Sequence, residues 1–524
     1  MYRGHVCLKG LTPVSERIVI DLQTLSRAVS GTISPSIDRL EKQVTRSLSE
    51  FSPRQLSVSL NSIARGRLFE KSQRRRIVLM MCEQLAAKSS QLTLKDFALI
   101  LNALSKLGIR NEMFLTNSIN TIVRKLTGMA ASGNVNTSAA SLILDAYSRL
   151  GFYGDGKVIE ACIITLRENT DKATGIDSLI AIRALARLPE GTIRQIANLD
   201  DLIVSLLVLI EDPAHLISAF VGLSKLTPNV PALVSNTCVR SLLTQTAGQL
   251  GSAEFFRMVQ FLNAVAILDP VLAVNVANDT LLPRLTEPQW TEQCDDPSSV
   301  AILLISAVTR IHERLQTNVL TSIIASMESV PLDPTGVGML VNLCACINLE
   351  LDTGLMDRLS GALPSIAQSP QSVSLVINAL AKLDCIELLV QLLGSIGDIR
   401  STVRGMTEQG QLVSLLAIAQ SADRQSCGLL NLWISVLSTE VAHRSKCRES
   451  LSQLRLISVL LGNKDLLPKN SVMESRDASV VSGFHKDVLQ SLTQVLDEPG
   501  PKLIINHIEP TTGYEIDIFI DIHR

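Results

Sequence analysis

The heptad Leu101-Asn102-Ala103-Leu104-Ser105-Lys106-Leu107 decides the fold, because it returns almost unchanged as Ile377-Asn378-Ala379-Leu380-Ala381-Lys382-Leu383. Variants of the heptad occur at eight further places in the chain: residues 60–66, 144–150, 182–188, 220–226, 262–268, 305–311, 341–347 and 415–421. Successive copies lie 36 to 43 residues apart. A period near forty residues is typical of stacked helical hairpins.

Each repeat is expected to supply two amphipathic helices. In the second copy the apolar residues follow i, i+3, i+4, i+7 spacing and share one helix face: Phe97, Ile100, Leu101, Leu104 and Leu107. Gly108 then ends the helix, and a second apolar-periodic segment runs from Leu115 to Leu126. One hairpin cannot bury both apolar faces, whereas stacked hairpins form a continuous core. The sequence therefore predicts an all-α fold, an α-solenoid of about ten helical-hairpin repeats across residues 51–465.

Length and composition fit a repeat array. The chain has 524 residues, more than the roughly 250–300 that one hydrophobic core usually organises. Hydrophobic residues make up 46% and aromatic residues only 3%, which favours stacked helices over β-sandwiches. The net charge is −2, but residues 1–125 contain 20 Lys and Arg against 9 Asp and Glu, and residues 126–524 contain 28 against 41. This asymmetry predicts either a polyanion contact near the N-terminus or solvated helix faces of uneven charge.

The sequence carries no signature of an enzyme. It lacks a Walker loop, a GxSxG motif and an HExxH motif, and its seven histidines are scattered. Its ten cysteines form no CxxC pair, which is typical of buried thiols in a reducing compartment. Cys344 and Cys346 would point in different directions on one helix, so no metal site is expected there. No apolar run reaches the 18 or so residues of a membrane span. We therefore expect no catalysis, no cofactor, no small-molecule substrate and no membrane insertion.

The N-terminal end precedes the first heptad. The first fifteen residues contain Arg3 and Lys9 but no acid, a composition similar to that of an organellar transit segment. We expect residues 1–50 to be an N-terminal segment that includes part of a targeting region.

The C-terminal end changes its apolar period. Spacing from Val480 to Val495 predicts a helix, and Glu509 to Gly513 predicts a turn. Strict alternation from Tyr514 to Ile522 predicts a strand with one apolar face. Residues 476–524 are therefore expected to form a small α/β module.

The repeats and the tail together resemble a known family. The stretches Phe484-His485-Lys486-Asp487-Val488-Leu489 and Gly513-Tyr514-Glu515-Ile516-Asp517-Ile518, which follow an array of LNALxKL-type helices, are similar to the RAP-domain proteins. The array resembles the heptatricopeptide and octotricopeptide repeats of organellar RNA factors, including FAST kinase-related proteins. The resemblance implies binding of organellar RNA, such as ribosomal RNA, in the mitochondrial matrix, together with other ribonucleoprotein subunits. It also implies a further strand and a closing helix, which do not follow before Arg524, so we expect an incomplete RAP module.

Basic residues recur at the sixth position of seven heptads: Arg65, Lys106, Arg149, Arg187, Lys225, Arg310 and Lys382. In a solenoid, one residue per repeat forms a stripe that could follow an RNA phosphate backbone. A Lys or Arg in the last turn of a helix also complements the helix dipole and its free carbonyl groups, and the sequence leaves both interpretations open. The second heptad position is often asparagine: Asn61, Asn102, Asn263, Asn342 and Asn378. These side chains allow two interpretations, because they could read the edges of RNA bases or form hydrogen bonds with the next repeat.

The densest cationic cluster lies between the two helices of the first pair: Arg65, Arg67, Lys71, Arg74, Arg75 and Arg76, with only Glu70 nearby. Such a cluster is typical of a phosphate-binding surface. Together with Lys106, Arg149 and Arg187, these are the predicted RNA-binding residues. The shortage of aromatic residues favours recognition of structured RNA through its backbone over base stacking. The predicted function is an organellar RNA-binding protein, a structural or assembly component of a ribonucleoprotein such as the mitochondrial ribosome. The alternative is an armadillo-like protein–protein scaffold without RNA binding.

Overall fold

The computed structural model describes residues 14–27, 35–131, 136–153, 156–285, 290–292, 294–327, 330–424, 427–444, 502–508 and 515–521. These residues are helical apart from their connections and one two-stranded hairpin. The chain divides into two compact units, unit 1 (Met1–Leu281) and unit 2 (Leu282–Arg524). No described helix is long and apolar enough to cross a lipid bilayer.

Unit 1 contains the following α-helices in chain order: α1 (Val14–Arg27), α2 (Pro35–Ser47), α3 (Pro53–Gly66), α4 (Lys71–Ala87), α5 (Leu94–Leu107), α6 (Glu112–Ala131), α7 (Thr137–Leu150), α8 (Lys157–Glu168), α9 (Gly175–Leu185), α10 (Glu190–Ile193), α11 (Leu199–Val208), α12 (Pro213–Leu226), α13 (Ala232–Ser235), α14 (Thr237–Gly248), α15 (Phe255–Leu268) and α16 (Pro270–Val276). A π-helical stretch, Ala277–Leu281, ends this unit.

Unit 2 contains the remaining described helices: α17 (Leu282–Leu285), α18 (Pro297–Ile311), α19 (Thr317–Met327), α20 (Pro334–Cys346), α21 (Thr353–Ile366), α22 (Pro370–Lys382), α23 (Ile386–Gly394), α24 (Ile399–Gly405), α25 (Glu408–Arg424) and α26 (Gly428–Arg444). Two strands follow, β1 (Lys502–Ile508) and β2 (Glu515–Asp521).

The helices that carry the heptads pack on one another in chain order, and we call them A-helices. In unit 1, α3 packs on α5, α5 on α7, α7 on α9, α9 on α12 and α12 on α15. The intervening helices form a second layer, in which α4 packs on α6 and α6 on α8. In unit 2 the A-helices α18, α20, α22 and α25 also pack in sequence. Each of the ten heptads therefore begins inside an A-helix, and the all-helical fold class is confirmed for the packed helices.

Several A-helices begin with the same local chemistry. The side chains of Thr93 and Thr174 accept hydrogen bonds from the backbone of Asp96 and Asp177, whose carboxylates bond back to the threonine N–H groups. Proline is the first residue of α3, α12, α18, α20 and α22. The first N–H groups of a helix have no partner within it, so these residues fix where the helix starts.

Five A-helices also end in the same way. The residue after the heptad has positive φ in each case: Arg67, Gly108, Gly151, Asn348 and Asp384. The next N–H donates to the carbonyl of the fourth heptad residue, as from Ile109 to Leu104 at 3.0 Å and from Cys385 to Leu380 at 2.9 Å. This Schellman geometry gives partners to carbonyl groups that a helix end otherwise leaves free.

Helix α1 extends the layer of A-helices in unit 1 toward the N-terminus. It packs on α3, while α2 packs on α4. The approach is close at Gly66, where a Cβ atom would lie 2.8 Å from the Cα of Ser26. Residues 14–27 and 35–47, which fall within the predicted N-terminal segment, are therefore packed helices of unit 1.

The two strands form an antiparallel hairpin. Lys502 pairs with Asp521 and Ile505 with Ile518. The helix predicted from Val480 to Val495, and the turn predicted from Glu509 to Gly513, lie outside the described residues.

Candidate nucleic-acid interface

The acidic residues of the unit 1 A-helices are all buried. From α3 to α15 these helices contain three carboxylates, those of Asp96, Asp145 and Asp177, and the three residues are 3%, 6% and 5% exposed. Asp96 accepts hydrogen bonds from Arg54 at 2.7 Å and from Ser57 at 3.0 Å. Each carboxylate is thus held inside the layer, and these A-helices present no acid to solvent.

The cations of the same helices do reach solvent. Arg65, Lys106 and Lys225 are exposed in the last turns of α3, α5 and α12. Among the described residues, none of the three donates a hydrogen bond to a helix-end carbonyl. The Schellman ends of α3 and α5 already supply those partners. Of the two capping effects, only attraction to the helix dipole then applies to these three cations. It contributes about 0.3–1 kcal/mol per residue.

Two further stripe residues meet at one carboxylate. The Nε of Arg149 lies 3.0 Å from Oδ2 of Asp145, and the Nη1 of Arg187 lies 2.7 Å from its Oδ1. Helix α9 ends at Leu185, two residues before Arg187. Arg187 is held by a long-range ion pair, since Asp145 and Arg187 are 42 positions apart in the chain.

Arg183 belongs to the same group, although the sequence pattern did not single it out. It is an exposed residue of α9, one turn before Arg187. Partial burial and the positive charges of Arg187, Arg149 and Arg257 lower the pKa of Arg183, against the opposing effect of Asp145. The signal in the sequence was the acid: in Leu144–Leu150, aspartate stands where other heptads carry asparagine.

The members of the cationic cluster of residues 65–76 differ in the contacts that the fold gives them. Arg74 donates from Nη2 to the carbonyl of Phe69 at 3.0 Å, and burial together with the charge of Arg67 lowers the pKa of Arg74. Arg76 forms an ion pair of 2.5 Å with Glu41 of α2, so Glu70 is not the sole acid near the cluster. The exposed members are Arg65, Arg67, Lys71, Arg75 and Arg76, and of these Arg76 is paired with an acid.

Four of the six members of this cluster lie near the start of a helix, where cations are disfavoured. Lys71, Arg74, Arg75 and Arg76 occupy the first two turns of α4. The N-terminal end of a helix carries partial positive charge, so cations there are repelled. The helix dipole therefore favours cations at the ends of the A-helices but not cations at the start of α4. Four cations at the start of a helix favour an anionic partner. An anion would offset the charge of the side chains and the partial positive charge of the helix end.

The asparagines at the second heptad position lie on the same face as the sixth-position cations, one turn apart. Asn61, Asn102 and Asn378 are half-buried, and their side chains make no hydrogen bond among the described residues. Asn342 donates weakly to the Sγ of Cys346 at 3.9 Å. The side chains of Asn61, Asn102 and Asn378 therefore form no hydrogen bond with the next repeat among the described residues.

No sequence profile of a known protein family matches this chain, and no curated protein matches it. Among solved structures, a homology model of the full-length AP-3 complex in an intermediate open conformation contains a similar chain. The alignment covers 86% of both chains at 13% sequence identity, with a TM-score of 0.37. A likeness of this size assigns no function to the protein.

Metal binding has no candidate within the described ranges. No group of three or more His, Cys, Asp or Glu side chains there is placed to hold an ion. The cysteines that the structure describes are free thiols: Cys82, Cys162, Cys238, Cys294, Cys344, Cys346, Cys385 and Cys427.

Proposed function

We propose that this protein binds RNA through the cations of unit 1. The observation that carries the proposal is the burial of Asp96, Asp145 and Asp177, which leaves the exposed charge of the unit 1 A-helices from α3 to α15 entirely positive. A series of exposed cations that repeats about every forty residues suits a polyanion of regular charge spacing. RNA supplies that spacing through its phosphates, whose contacts dominate affinity.

The proposed mode of binding is contact with the sugar–phosphate backbone of structured RNA. Base stacking needs exposed aromatic rings, and only 3% of the chain is aromatic. The largest aromatic side chains of unit 1, such as Tyr147, Phe97 and Phe220, are buried in its core. Positive side chains on successive helices are the groups that remain available.

The proposed setting is a mitochondrial ribonucleoprotein, such as the mitochondrial ribosome, in which the chain is a structural or assembly component. The support is the resemblance of the repeats and of Gly513–Ile518 to RAP-domain proteins. In the same proposal the chain is an α-solenoid of about ten hairpin repeats followed by a partial RAP-like α/β module. The pairing of β1 with β2 is compatible with that module.

A protein–protein scaffold is the second candidate function. Its support is apolar exposure on the A-helices: Ile176 of α9 is 58% exposed and Phe256 of α15 is 37% exposed. The acidic balance of residues 126–524 also suits a partner that is not RNA.

RNA binding by the purified full-length chain tests the proposal. Affinity for a structured RNA, measured by fluorescence anisotropy, should fall steeply with salt. The expected log–log slope is about −0.7 to −0.9 per neutralised phosphate. Crosslinking in cells followed by sequencing would then identify the RNA. If the chain retains no RNA at low salt, the proposal is wrong and the scaffold takes its place.

A further inference from the structure

We propose that Asp145 arranges Arg149, Arg183 and Arg187 into a clamp for RNA phosphate groups. This inference rests on the proposed RNA binding and assigns it a specific site between α7 and α9. Asp145 would act as a positioning residue, and the three guanidinium groups would contact the phosphates.

The carboxylate is placed to hold two arginines at once. The side chain of Asp145 is only 8% exposed, while those of Arg149 and Arg187 are 35% and 32% exposed. Oδ1 of Asp145 accepts a hydrogen bond from Nη1 of Arg187 at 2.7 Å, and Oδ2 lies 3.0 Å from Nε of Arg149 in an ion pair. A guanidinium group has five N–H donors in a planar fork, so one bond to Asp145 fixes each fork and leaves most donors available.

The positive charge of the arginines beside Asp145 exceeds the single negative charge of its carboxylate. One arginine would neutralise the carboxylate, yet Arg149 and Arg187 both contact it. Arg183 of α9 lies one turn before Arg187, so these four side chains carry a net charge of +2. Arg183 has no hydrogen-bond partner among the described residues, and it feels the like charges of Arg187 and Arg149. Like charges this close repel, and a bound phosphate would offset that repulsion. A purely structural ion pair with Asp145 would require only one arginine.

The neighbouring A-helices favour RNA over an acidic or phosphorylated protein segment as the occupant. Lys106 of α5 and Lys225 of α12 lie on the helices that flank α7 and α9, and both are exposed. The cations therefore continue on both sides of the clamp. A phosphopeptide presents one or two phosphates, whereas an RNA strand presents a series that such a row can follow.

Two variants separate geometry from charge. Asp145→Asn removes the positioning carboxylate and adds one unit of positive charge, so electrostatic attraction alone predicts tighter RNA binding. The clamp predicts a loss of about tenfold, because the forks are no longer fixed. Arg149→Lys with Arg187→Lys keeps the charge but removes the forks, and the clamp again predicts about a tenfold loss.

The matched control is Arg314→Lys with Arg400→Lys, a second charge-preserving pair at exposed arginines of unit 2 for which no carboxylate partner is found among the described residues. This pair should change affinity less than about twofold, because it keeps its charge and lies outside the proposed cations of unit 1. Circular dichroism and thermal melting of each variant show that helicity is retained. A second readout is the rise in melting temperature caused by sodium tripolyphosphate, which supplies phosphate without RNA.

The two readouts, RNA affinity and the tripolyphosphate effect, together test the clamp and the RNA binding separately. Loss of RNA binding and of the tripolyphosphate effect in the clamp variants, but not in the control, supports the clamp. If the wild-type chain binds RNA and the clamp variants bind it as tightly as the control, the clamp is wrong and RNA binding stands. If the wild-type chain binds no RNA, the proposed function is wrong. A tripolyphosphate effect that still depends on Asp145 would then assign the clamp to a phosphorylated protein, and absence of that effect would overturn the clamp.

Discussion

Arg54 and Asp96 are 42 residues apart in the chain, and their side chains form an ion pair of 2.7 Å between α3 and α5. Asp145 and Arg187 repeat this relationship at the same separation. A separation of one repeat means that each pair ties successive A-helices together. These pairs therefore link the sequence period to the packing of unit 1.

The first prediction concerns the pH dependence of stability. Burial alone would raise the pKa of Asp96, but hydrogen bonds from Thr93, Arg54 and Ser57 lower it below its usual value. The folded state then binds fewer protons than the unfolded state near the unfolded pKa of about 3.9, so this contribution is present above that pH. It is lost as the pH falls through the lowered folded pKa.

Asp96→Asn should therefore cost about 1–3 kcal/mol of unfolding free energy at pH 7 and much less near pH 3. Urea unfolding at several pH values measures this difference. The control is Asp333→Asn, which keeps a helix-capping oxygen for the N–H of Gly336 and has no arginine partner among the described residues. An equal cost for Asp96→Asn at both pH values would contradict the contribution of the ion pair.

The second prediction tests the heptad core. Leu104 is fully buried in α5, while Lys106, two residues later, is exposed. Leu104→Ala should destabilise the surrounding repeats by about 3 kcal/mol, because it removes buried methyl groups and leaves a cavity. Lys106→Ala should have an effect within about 0.5 kcal/mol. Thermal unfolding and hydrogen exchange measure both, and equal effects would show that the heptad does not face the core.

The third prediction tests the contact between α1 and α3. Gly66→Ala would place its Cβ atom 2.8 Å from the Cα of Ser26, which is backbone and must shift. We expect a loss of about 1–3 kcal/mol. Gly128→Ala in α6 is the control, since nothing lies within 4 Å of its Cβ position, and it should stabilise by about 0.5–1 kcal/mol. A neutral Gly66→Ala would mean that α1 does not pack closely on α3 in solution.

The fourth prediction compares the cationic cluster with the later stripe. The variants should avoid Arg74 and Arg76, which have partners in the fold. Reversal of Arg65, Lys71 and Arg75 to Glu should weaken RNA binding strongly and flatten its salt dependence, because these cations act together over about one Debye length of 8–10 Å.

The comparison variant reverses Lys225, Arg310 and Lys382, which lie on separate helices. It carries the same change in charge and should weaken RNA binding far less. Equal losses from the two triple variants, with folding intact, would indicate that phosphate contacts extend across both units.

The fifth prediction concerns thiol reactivity. Burial, with a smaller effect of Glu83, raises the pKa of Cys82 to about 12, and burial raises the pKa of Cys344 to about 11. Burial also raises the pKa of Cys162. Because the thiolate is the reactive form, these three should resist N-ethylmaleimide at pH 8 until the protein unfolds. Cys346 is more exposed than these three cysteines and should react before them. Mass spectrometry distinguishes the sites. Rapid native labelling of Cys344 would contradict its burial.

The sequence by itself determined the helical class and the place of each A-helix. It could do so because apolar spacing, capping residues such as Thr93 and the glycine at position 108 act within one or two helical turns. The sequence left open what holds Arg187, and α9 ends two residues before it, at Leu185. The end of that helix depends on tertiary packing that the heptad pattern does not contain.

Only the tertiary structure decided which cations are paired with acids and which acids are buried. Arg76 is paired with Glu41, 35 residues away, and Arg187 with Asp145, 42 residues away. A local sequence window contains only one member of each pair. The burial of Asp96 and Asp177 likewise follows from the packing of neighbouring A-helices, which bring Arg54 and Ser138 against them. Charge pairing across repeats is a property of the stacked helices, so the sequence could name the cations but not the acids that hold them.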